Sequence, residues 1–83
     1  MLTEKRKATL LQKMQTIFQT NNLTHEEIIA FLEMGDADYS DKRLHNASDQ
    51  VAELVGEERV SFDDLMMLIK LCREVELEKM ELV

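Results

Sequence analysis

Proline is absent from this 83-residue chain, and glycine occurs only at Gly35 and Gly56. Tight turns draw on both residue types, so a β-rich fold would lack most of its punctuation, and helices become the default. Tryptophan is missing too, and the aromatics are only Phe18, Phe31, Tyr39 and Phe62. Six methionines stand beside these few rigid rings, which predicts a soft core that repacks readily. Cys72 is the only cysteine, so no internal disulfide can form. No apolar run is long enough to span a bilayer, and the first residues contain no apolar leader, so a cytoplasmic protein is expected.

What is present has the balance of a globular chain: 45% hydrophobic and 33% charged residues, enough of the first to build a core and of the second to solvate it. The length allows a single domain, residues 1–83, in which about 60% of the unfolded surface is buried on folding. The charge is polarised. Lys5, Arg6, Lys7 and Lys13 face only Glu4 in the first 23 residues, a balance of +3, so residues 24–83 carry −10 of the overall net charge of −7. An acidic body repels phosphate backbones and anionic membranes and favours basic partners or plain solubility.

Apolar spacing and cap residues predict an all-α bundle of four helices, at about 4–20, 24–34, 41–55 and 62–82. Thr3 is placed to cap the first, whose stripe is Leu10, Leu11, Met14, Ile17 and Phe18; Asn21-Asn22 suits a left-handed exit. Thr24 and Glu27 have capping-box spacing ahead of Ile28, Ile29, Phe31 and Leu32, and Gly35 is the expected stop. Ser40 is expected to cap a third helix carrying Leu44, Ala47, Val51, Leu54 and Val55, with Gly56 as its end. Ser61 and Asp64 open the last and longest helix, roughly 30 Å at 1.5 Å per residue, whose end is expected to protrude. Its residues Leu65, Leu68, Cys72, Val75, Lys79 and Leu82 step by three and four like a heptad seam, while Met66, Ile69 and Leu71 leave a second apolar side.

Catalysis finds no constellation here. Ser40 and Ser61 are explained as caps, and a buried Cys72 would behave as a small hydrophobe with a raised pKa. His25 and His45 are distant in sequence, both are expected on the surface, and with Cys72 they are too few and too scattered for structural zinc. No catalytic, cofactor-binding or metal-binding residue is therefore assigned. Asp36, Asp38 and Ser40 reproduce the first three odd positions of an EF-hand calcium loop, but Asp41 occupies the position of the sharp-turn glycine and Ala47 that of the bidentate carboxylate. A degenerate EF-hand-like calcium binder is the lesser alternative. A DNA-binding regulator is another, a helix-turn-helix with helix 2 as support and Lys42, Arg43, His45 and Asn46 of helix 3 in the major groove. Its connection of about six residues is long for that motif, and Asp36, Asp38 and Asp41 would face phosphates, which makes nucleic acid an unfavoured partner.

The reading that remains is a non-enzymatic helical protein that binds another protein or regulates one. Its partner is expected to be a second copy, held through helix 4 in a homodimer. Leu68, Cys72, Val75, Lys79 and Leu82 are the expected interface, with Lys79 restricting register, and Tyr39 in the acidic loop is a further anchor.

Overall fold

The computed structural model describes residues 3–34 and 41–81. Four helices form an all-α bundle: α1 (Glu4–Thr20), α2 (His25–Met34), α3 (Lys42–Glu57) and α4 (Phe62–Glu81). α1 and α4 pack together at the centre, α2 lies on α4, and α3 lies on α1. Leu10, Met14 and Phe18 of α1 meet Leu68 and Cys72 of α4 in the core, joined by Leu23, Ile28 and Ala47. The Phe18 ring stands edge-on to Phe31, with centroids 5.6 Å apart at 66°, an arrangement that sets the positive ring edge against the negative face.

Caps fix where all four helices begin. Thr3 accepts from the Arg6 amide. Thr24 and Glu27 close the reciprocal box: the Glu27 amide donates to Thr24 Oγ1 at 3.1 Å, and the Thr24 amide donates to Glu27 Oε1 at 3.0 Å. The Asp64 amide donates to Ser61 Oγ. Each bond satisfies a first-turn donor that the helix itself cannot use. At α3 the capping residue is Asp41, whose carboxylate accepts from the Arg43 amide, and not Ser40 as expected. Gly35 and Ser40 lie outside the described residues.

Two helix ends reverse direction through a non-glycine residue in the left-handed region. Asn22 (φ 59°) follows α1, and Arg59 (φ 52°) follows α3. Beyond each, an amide reaches back across the turn, Leu23 to the Phe18 carbonyl and Val60 to the Val55 carbonyl, the pattern of a Schellman stop. Asn22 fulfils the expected exit. Gly56 does not end α3, which continues to Glu57. A Cβ added at Gly56 would meet nothing within 4 Å, so neither space nor backbone conformation requires glycine there.

α4 stays against the bundle as far as Glu76, only 2% exposed, because α2 lies along it; Met80 and Glu81 beyond it are exposed, and residues 82–83 lie outside the described residues. The described chain fits within 32 × 30 × 20 Å.

Candidate functional site

The α4 sequence offers more apolar sides than one packing partner can cover, and the structure decides which side turns inward. Leu68, Cys72 and Glu76 are its buried residues, a row of steps of four that drifts only slowly around the helix. Leu68 (2% exposed) and Cys72 (0%) therefore belong to the core. Their expected role as a contact face is corrected on that ground, since a partner reaches them only if the bundle opens. Val75 and Lys79 lie half-buried at the margin of the same side. Lys79 stands 3.8 Å from Glu76 one turn earlier. Leu82 and Tyr39, the other two expected contacts, lie outside the described residues.

Cys72 behaves as its burial dictates. Loss of hydration raises its thiol pKa to about 11, and the neighbouring Glu76 charge adds to the shift. A thiol held protonated in this way is a poor nucleophile.

Glu76 is the residue that sequence reasoning missed. Its carboxylate is buried on α4, where its Oε2 contacts His25 Nδ1 at the start of α2. His25 was expected on the surface; it is half-buried, held by a partner 51 positions away. No local pattern in the sequence signals that pairing. It clamps the first turn of α2 onto α4, next to the contacts of Leu23 and Ile28.

The side of α4 next to the buried row carries the exposed apolar groups. Phe62 is 74% exposed, Met66 48% and Met80 37%. Positions 62, 66, 69, 73, 77 and 80 fall within about 80° of one another at 100° per residue. Exposed Phe62, Met66 and Met80 thus share an apolar stripe with half-buried Ile69 and Leu77, interrupted by Arg73, whose guanidinium is tied to Glu33 of α2 at 2.5 Å. At its N-terminal end the stripe borders a groove of ≈ 460 Å³ between α3 and the α2–α4 pair, where Val51, Ala52 and Val55 face Leu65 and Ile69, with Phe31 at the α2 side. Ser48 is the one polar residue in its lining among the described residues. The groove exists because α3 rests on α1 and leaves its other flank apart from α2 and α4.

Comparison with protein-family models, with curated proteins and with solved structures finds no match for this chain. The surface must speak for itself.

Several other charged groups are engaged within the bundle. Arg43 donates to Asp41 Oδ2 at 2.9 Å and to Glu27 Oε2 at 2.5 Å, and its other arm reaches the Asn22 carbonyl. Asp41 is held below the usual carboxylate range chiefly by this guanidinium. Glu27 is lowered first by the Thr24 amide and then by Arg43. Of the basic residues proposed to enter a DNA groove, Arg43 is thus already saturated by carboxylates. On α1, Lys13 meets Glu58 at 2.8 Å and lowers its pKa. Among the described residues no group of three His, Cys, Asp or Glu side chains is placed to hold a metal ion, and no helix is long and apolar enough to cross a membrane. Asp36, Asp38 and Ser40, the calcium-loop positions, lie outside the described residues.

Proposed function

We propose that this chain is a non-enzymatic interaction or regulatory protein that self-associates through the outer stripe of α4. The observation that supports this reading is the exposure of Phe62 and Met66, one turn apart on a single face, beside an apolar groove. Large apolar side chains exposed singly are ordinary, but a stripe of them continuous with a groove is the kind of surface that association covers. Four short helices have too little surface to hide it, since a chain of this length leaves about 40% of its area in water.

The contact differs from the one the heptad count suggests. That count selects Leu68 and Cys72, which the bundle itself consumes; what remains for a second copy is the stripe rotated toward Met66. The acidic charge of the chain keeps separated copies soluble. Regulation is then a matter of which partner occupies the stripe, its own copy or another protein.

Sedimentation equilibrium provides the test. At high micromolar concentration the wild-type chain is expected at twice its 9.7 kDa mass. Phe62→Glu is expected to stay helical and sediment as a monomer, because the new charge would have to be desolvated in the contact. A wild-type chain that remains monomeric at millimolar concentration overturns the reading.

A further inference from the structure

The two sides of the exposed α4 stripe are not alike. One side is the buried row of Leu68, Cys72 and Glu76. The other carries Asp63 and Lys70, both exposed, at nearly the same angle around the helix and about 10 Å apart along it. Neither joins an ion pair among the described residues, so both charges face water unspent.

Resting on the self-association reading above, we infer that two copies pair with their α4 helices antiparallel, about a two-fold axis beside Met66, so that Asp63 of each copy meets Lys70 of the other. The geometry follows from which flank faces which. When two parallel helices share a seam, one flank of the first meets the opposite flank of the second; here that would press Asp63 and Lys70 toward the side already filled by the bundle core. When the helices run antiparallel, like flanks meet. Asp63 and Lys70 lie on the same flank, seven residues apart, so an antiparallel pair brings opposite charges together twice by symmetry. The midpoint of these two positions lies between Met66 and Met67, and Met66 is half-exposed on the stripe. A flexible thioether meeting its own symmetry mate packs without a rigid clash.

The same axis places Phe62 of one copy alongside the segment between Ile69 and Arg73 of the other. Ile69 lines the mouth of the apolar groove. Arg73 is held by Glu33, which fixes a planar guanidinium where the incoming ring can stack. The most exposed large apolar side chain of the described residues and the apolar groove thereby cover each other, and the contact is closed, with no open end to build filaments.

Charge exchange tests the pairing. In low salt, Lys70→Glu, at an exposed mid-helix position that should leave the fold intact, is expected to raise the dimer dissociation constant roughly tenfold, because two attractive pairs become repulsive. Adding Asp63→Lys to Lys70→Glu restores opposite charges in both pairs and is expected to return the constant to within about threefold of wild type. Far-UV circular dichroism confirms that each variant is helical. If the wild type dimerises and Phe62→Glu abolishes it, but Lys70→Glu has no effect or the second exchange brings no recovery, the antiparallel pairing is overturned while association through the stripe stands. If the wild type does not dimerise at all, both fall.

Discussion

Phe18→Ala is expected to lower the unfolding free energy by about 3–5 kcal/mol. Phe18 is completely buried, sits edge-on to Phe31, and lies where α1 meets both flanking halves of the core. Truncation removes its transfer free energy, leaves a cavity, and deletes the aromatic pair, and α1 has few ways to close the gap because it is packed by α3 on one side and α4 on the other. Small domains have total stabilities of only about 5–15 kcal/mol, so the loss consumes a large share. Urea unfolding followed by circular dichroism measures it. A cost below about 1 kcal/mol would show that the core repacks around the missing ring and that the methionines make it softer than the packing implies.

A second large effect is expected at the clamp between α2 and α4. His25→Ala removes the side chain that meets the buried Glu76 carboxylate and should cost about 1–3 kcal/mol, the usual penalty for leaving a buried polar group without its partner. Lys79, 3.8 Å away, softens the loss without replacing a direct hydrogen bond. Glu76→Leu in the same chain should recover much of that cost, since an apolar side chain of comparable size fills the site and needs no partner. The double-mutant cycle isolates the coupling. Strict additivity, with Glu76→Leu no better tolerated in the His25→Ala background than in wild type, would mean that the two side chains do not hold α2 in place.

The division between what the sequence discloses and what it conceals follows from range. Local signals carry the fold: the Thr3 cap, the Thr24–Glu27 box, the Ser61 cap and the exit at Asn22 all act within five residues, and all are realised. Where local signals compete, the reading slips. Asp41 stands as the cap in place of the expected Ser40; both types accept well from first-turn amides, and the Asp41 carboxylate also holds the Arg43 guanidinium. Arg59, and not Gly56, reverses the chain, and α3 runs two residues past its expected end, to Glu57.

The candidate surface shows a subtler limit. Periodicity alone reveals that α4 has two apolar sides, and Met66 and Ile69 were visible as the second. It cannot reveal which side the other helices occupy, because that depends on how α1 and α2 approach. The structure fills the Leu68–Cys72–Glu76 row and leaves Phe62 and Met66 outside. Glu76 carries no local signal of burial, and its partner His25 is too distant in the chain for any pattern to join them.

The central claim is that the outward stripe of α4, and no inward residue, is the association surface. It is tested most directly by following the methyl resonances of isotopically labelled methionines and leucines as protein concentration is raised from micromolar to millimolar. Met66, half-exposed on the stripe, should shift or broaden as the complex forms, while Leu10, 1% exposed in the core and outside the groove, should hold its position. Concentration-independent Met66, or movement of Leu10 in its place, would contradict the account.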